Sequence, residues 1–104
     1  MFNTKLNILF AAALMLFATQ NVIANEALAK SSNCLACHSV DNKIIGPAFK
    51  DIAAKYKGDD SAVVALSDKI KNGGAGVWGD MPMPPNAAVS DADIETLVNW
   101  ILSL

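Results

Sequence analysis

The chain of 104 residues contains two cysteines and one histidine, and all three fall within five consecutive positions, Cys34-Leu35-Ala36-Cys37-His38. On a helical turn, residues i and i+3 project from one side, so the two thiols share a face and His38 follows directly. This C-x-x-C-H spacing is the attachment pattern of a c-type haem: both sulfurs form thioethers along one porphyrin edge and the imidazole turns toward the iron. Three other uses of the pair fit less well. A thioredoxin-like redox site sits in a strand-helix setting, and no stretch here alternates apolar and polar residues long enough to make a convincing strand. A plain disulfide suits an oxidising compartment, but neither it nor a redox pair needs His38 after the second cysteine. Zinc would be one ligand short of a closed structural site.

The size of the chain makes such a group structurally useful. Lys5 is the one charge before Glu26, and the apolar run from Leu6 to Ala18 is far shorter than the roughly 20 residues of a spanning helix. With Val22 and Ala24 as the small residues before a cut, residues 1–24 read as a cleaved signal peptide and residues 25–104 as the mature domain, exported to the periplasm. Ala27 and Ala29 offer a second cleavage site. The remaining 80 residues carry seven lysines, no arginine and ten acidic residues. At 53% apolar and 17% charged the chain is too apolar for disorder, and it lacks the basic face of a nucleic-acid binder. A domain this small buries only about 60% of its unfolded surface and needs an internal brace, which a covalent haem supplies.

Helical patterns dominate the mature part. Ile94, Leu97, Val98 and Ile101 recur at i, i+3, i+4 and i+7 behind Ser90, which with Asp93 forms a capping box, so a helix is expected over about Asp91 to Ser103. A second is expected over Ser61 to Asn72, with Asp60 as N-cap, Val63, Leu66 and Ile70 inward and Gly73 as the stop. Shorter helices are expected over Phe49 to Lys55 and Glu26 to Ser32. The segment Gly73 to Asn86 reads as a Gly- and Pro-rich loop. The fold class is all-α.

If haem is bound, His38 is the sole histidine and the second axial ligand must be another residue type, for which methionine is the natural candidate. Met1 and Met15 leave with the signal peptide, so the choice falls between Met81 and Met83. Three prolines in Met81-Pro82-Met83-Pro84-Pro85-Asn86 fix three φ angles and stiffen an arch centred on Met83, which favours it over Met81. Imidazole on one side and thioether on the other leave no open position for a substrate. Electron transfer without enzymatic turnover is the expected function. Lys30, Lys43, Lys50, Lys55, Lys57, Lys69 and Lys71 are candidates for steering acidic partners toward an exposed haem edge.

Cys34–His38, Gly46-Pro47-Ala48-Phe49, Ile70-Lys71-Asn72-Gly73, Gly76-Val77-Trp78-Gly79 and Pro82-Met83-Pro84-Pro85-Asn86 together resemble the short class I cytochromes c of bacteria, the cytochrome c-551 group. The resemblance spans about Leu28 to Leu104. It implies a small class I cytochrome c fold of four to five helices wrapped around one covalent haem c. It also implies that Cys34 and Cys37 carry the thioethers, His38 and Met83 ligate the iron, and Pro47 offers its carbonyl to the other ring N–H of His38. Asn86 is then expected near the Met83 sulfur and Trp78 at a haem propionate, while Trp100 packs in the core. Lys69 stands where the group often has an arginine, Met81 where it usually has a branched aliphatic residue, and Ala29 where a larger residue crosses the C-terminal helix. The implied role is a monomeric, diffusible periplasmic carrier in a respiratory chain. Its donor would be a cytochrome c reductase or a quinol-oxidising membrane complex, and its acceptor a nitrite reductase, oxidase or peroxidase. The alternative is a five-coordinate haem protein that binds gas or acts as a peroxidase.

Overall fold

The computed structural model describes residues 25–104; the expected signal peptide, residues 1–24, lies outside the described residues. Residues 25–31 are helical (α1). Asn33 ends this segment in a left-handed conformation, φ 65°, which asparagine tolerates better than most side chains. A single 3-10 turn, Cys34–Ala36, follows. Helices α2 (Phe49–Lys55), α3 (Ala62–Asn72) and α4 (Asp91–Leu102) come next, with a small hairpin of β1 (Gly74–Gly76) and β2 (Gly79–Met83) between α3 and α4.

Periodicity and a side-chain cap agree at α4. The side chain of Ser90 accepts from the Asp93 backbone N–H at 3.2 Å, which satisfies one of the free donors at the start of α4. Only this half of the expected capping box is present among the hydrogen bonds. At α3 the cap differs from expectation: Ser61, not Asp60, holds the N-cap position. The Asp59 carboxylate accepts from the backbone N–H of Ser61 at 2.9 Å and from its hydroxyl at 2.7 Å. Gly73 stops α3 as expected, at φ 73° and ψ −172°.

Helix α4 is the centre of the packing. Its apolar stripe serves two clusters: Leu97, Trp100 and Ile101 pack with Ala29, Phe49 and Ile52, while Ile94 and Val98 pack with Ile70 of α3. Leu97 and Val98 are fully buried, and each such side chain contributes about 1.5–3 kcal/mol by leaving water. Ala29 is completely covered beside α4, so α1 crosses closely there. Trp100 meets Phe49 edge-on with ring centroids 5.6 Å apart, the core role its helix position suggested.

The hairpin departs from the helix-only expectation. Gly74 pairs with Met83 and Gly76 with Gly79, antiparallel, with a shift of register between the two pairs. A Gly-Ala-Gly strand opposite a proline-bearing one has no hydrophobic alternation to reveal it, and Pro82 is tolerated because a two-stranded ribbon consists only of edges.

Candidate functional site

A cavity of about 410 Å³ lies at the junction of the 3-10 turn, α3 and the hairpin, within the size range of cofactor pockets. Cys34, Cys37, His38, Met81 and Met83 all line it, and Ile52, Leu66 and Leu97 supply apolar walls. The 3-10 turn and the residue that ends it, Cys37, bring both cysteines to the same cavity. The backbone N–H of Cys37 and that of His38 both donate to Cys34 O, at 3.2 and 3.0 Å, which closes the turn. Burial pushes the Cys34 thiol above its ordinary value, outweighing the lowering effect of a hydrogen bond with its own backbone.

His38 is held from three directions. Its Nδ1 lies 2.7 Å from Pro47 O. A carbonyl can only accept, so Nδ1 carries the proton and the lone pair of Nε2 is left free to bind a metal. The ring stacks on Phe49 with centroids 5.1 Å apart and planes 21° apart. Gly46 closes the third side: a Cβ there would stand 2.6 Å from His38 Cε1 and 2.9 Å from Nδ1. The loop carrying Gly46 is pinned by its N–H to Cys37 O at 2.7 Å, and that of Phe49 donates to Ser39 O at 2.8 Å.

The methionine side is built differently. Met83 is partly buried against Ile70, Ile94 and Val98, whereas Met81 is 68% exposed. Asn86 donates through its backbone N–H to Ile70 O at 2.9 Å and through Nδ2 to the same oxygen at 3.2 Å and to Pro84 O at 3.3 Å. The partners of Nδ2 of Asn86 in this structure are thus backbone carbonyls at the foot of the arch that carries Met83. The physical reason is that Ile70 O is one of the unpaired carbonyls at the end of α3 and draws the nearest donor. Gly73 lies against this arch so tightly that a Cβ would meet Met83 O at 2.5 Å and Pro85 N at 2.9 Å.

Trp78 lines the cavity at the hairpin turn, half exposed, with Lys55 Nζ 5.5 Å from its ring centroid. Of the seven lysines, Lys43 and Lys69 line the cavity. Lys50 is paired with Asp41 at 2.6 Å, and Lys71 binds Asp91 at 3.1 Å and Val89 O at 3.3 Å. The seven lysines therefore differ in their surroundings. Gly46, Phe49 and Gly73 are positioning residues whose motifs were visible in the sequence but whose contacts were not. Among the described residues, no cluster of three or more His, Cys, Asp or Glu side chains could hold a metal ion. The donor set suits a different centre: two sulfurs on one edge, an imidazole with Nε2 free and a neutral thioether, all bordering an apolar cavity. These residues fit a covalent haem.

The sequence matches the cytochrome c family over residues 23–104. It is 55% identical over 95 residues to cytochrome c-552 of Nitrosomonas europaea, covering 91% of each chain. To cytochrome c-551 of Pseudomonas aeruginosa it is 48% identical over 99 residues, covering 88% of this chain and 94% of the other. The crystal structure of wild-type Nitrosomonas europaea cytochrome c552 superposes with a TM-score of 0.74 at 58% identity, over 76% of this chain and 98% of that one. Class I cytochromes c bind one covalent haem c with His/Met ligation, and Cys34 and Cys37 are the two cysteines this chain offers for the thioethers. The chain belongs to the cytochrome c family, as a small monohaem electron carrier of the bacterial class I type.

Proposed function

We propose that the protein is a diffusible periplasmic one-electron carrier in which His38 and Met83 would hold the haem iron. The observation that carries this reading is the Nδ1 contact to Pro47 O, which leaves Nε2 of His38 free beside a cavity that Met83 also lines. When bound, the haem supplies one-electron exchange at iron. Pro47 fixes the tautomer of His38 and keeps the imidazole in one orientation. Met83 presents a soft neutral donor, which favours the reduced metal and raises the potential relative to two histidines. The apolar wall formed by Ile52, Leu66 and Leu97 keeps water out and penalises the extra positive charge of the oxidised state. Trp78, at the hairpin turn, is the donor proposed for a haem propionate.

Export of the mature domain, residues 25–104, is supported by the charge and apolar pattern of residues 1–24. No helix among the described residues is long and apolar enough to cross a membrane. Donor and acceptor are redox proteins of a respiratory chain, with nitrite reductase, oxidase or peroxidase as acceptor classes, met through small and transient contacts whose strength falls with salt.

The test is a visible spectrum of the protein exported from a cell that matures c-type haem, taken oxidised, reduced and then under carbon monoxide. A sulfur-to-iron charge-transfer band in the oxidised form and no carbon monoxide uptake at neutral pH are expected. Rapid uptake would overturn the carrier reading in favour of a five-coordinate gas-binding or peroxidase site. An intact mass equal to residues 25–104 plus one haem checks the leader.

A further inference from the structure

Residues 81–84 repeat a dipeptide, Met-Pro-Met-Pro, so that the arch contains two methionines each followed by a proline. Both methionines belong to β2, and a spacing of two on an extended strand places side chains on one face, about 7 Å apart along the chain. Both also line the same cavity as His38. Their surroundings differ. Met83 is packed into the cluster of Ile70, Ile94 and Val98, whereas Met81 is 68% exposed and belongs to neither core cluster.

We propose that Met81 is a latent axial ligand, able to take the place of Met83 when Met83 is lost. This rests on the reading that Met83 ligates in the resting protein. A shift of β2 by two residues returns the same face of the strand and replaces one Met-Pro unit with another, whereas a shift by one would turn the sulfur away. Little in β1 resists it. That strand is Gly-Ala-Gly, its register already changes between Gly74 and Gly76, and glycine-rich strands specify register weakly. What favours Met83 lies beyond the strand: the two hydrogen bonds from Asn86 to Ile70 O hold the arch in its observed position. Met81 is thus kept out by the anchor at the end of α3, not by its own geometry.

The experiment compares haem-loaded Met81→Ile, Met83→Ala and the double variant by the sulfur-to-iron charge-transfer band and by carbon monoxide uptake. The expected result is a band in each single variant and its complete loss, with rapid carbon monoxide binding, in the double variant. Loss of the band in Met83→Ala while Met81→Ile keeps it overturns the proposal and leaves the Met83 assignment standing. Loss of the band in Met81→Ile with its retention in Met83→Ala overturns the Met83 assignment itself. If Met83→Ala fails to fold, Met83→Leu preserves the apolar volume at the Ile70 cluster and is read the same way.

Discussion

The two sides of the cavity solve the same problem, holding one side chain proposed to ligate iron, by opposite means. On the histidine side the ring is stacked on Phe49, which is itself part of the larger core cluster, and its proton is fixed by Pro47 O. On the methionine side the side chain hangs from a Gly- and Pro-rich hairpin that is mostly exposed and is tied down at the end of α3. Imidazole needs a defined tautomer and plane, so it is packed. A thioether has no proton to place, so an arch that only fixes position suffices.

The comparison breaks most severely at Phe49. Phe49→Ala removes both the support of His38 and a buried core side chain, and a loss of about 3–5 kcal/mol is expected in guanidinium unfolding of the haem-loaded protein. That is a large share of the roughly 5–15 kcal/mol available to a small domain. A milder disturbance of the same side is Gly46→Ala, where the added Cβ forces the His38 ring to move. A cost of about 1–3 kcal/mol is expected, with a shifted reduction potential as the accompanying sign that the imidazole has turned.

The methionine side should respond locally. Gly73 occupies a backbone region that is essentially glycine-only, so Gly73→Ala costs about 1–3 kcal/mol and pushes on Met83 O besides. Exogenous imidazole should then displace the methionine faster than in the parent protein, and faster than in Gly46→Ala. If Gly46→Ala were the more easily displaced of the two, the division of labour drawn above would be wrong.

The smallest effect tests a region outside both sides. Hydrogen bonds from Ser61 hold the Asp59 carboxyl below its ordinary value. A depressed folded value means that this contribution to α3 is present above the ordinary carboxylate range and fades as pH falls through the folded value. Asp59→Asn should therefore lower the thermal midpoint slightly at neutral pH and not at strongly acid pH, so that the acid limb of a thermal unfolding series becomes slightly shallower than in the parent protein.

Helices α3 and α4 were legible because apolar spacing agreed with a glycine stop in the first and a serine cap in the second; α2 spans Phe49–Lys55 as read from the sequence. The hairpin was not, because Gly-Ala-Gly carries no alternation and its partner contains a proline. The C-x-x-C-H unit was legible as a local pattern, since everything it requires lies within five residues. The engagement of Asn86 was not, because its acceptor, Ile70 O, lies sixteen positions earlier and comes into reach only when α3 and the arch meet. The exchange of Asp60 for Ser61 at the α3 cap is a difference of one residue, settled by which side chain Asp59 can reach.

Met83 does not merely border the cavity; its side chain also fills out the smaller hydrophobic cluster between α3 and α4. A chemical change at its sulfur, such as oxidation to the sulfoxide, therefore puts a polar oxygen where those two helices meet. Damage to the carrier should consequently register as faster amide hydrogen exchange around Ile70 and Ile94, turning a redox lesion into a mechanical loosening of helix against helix.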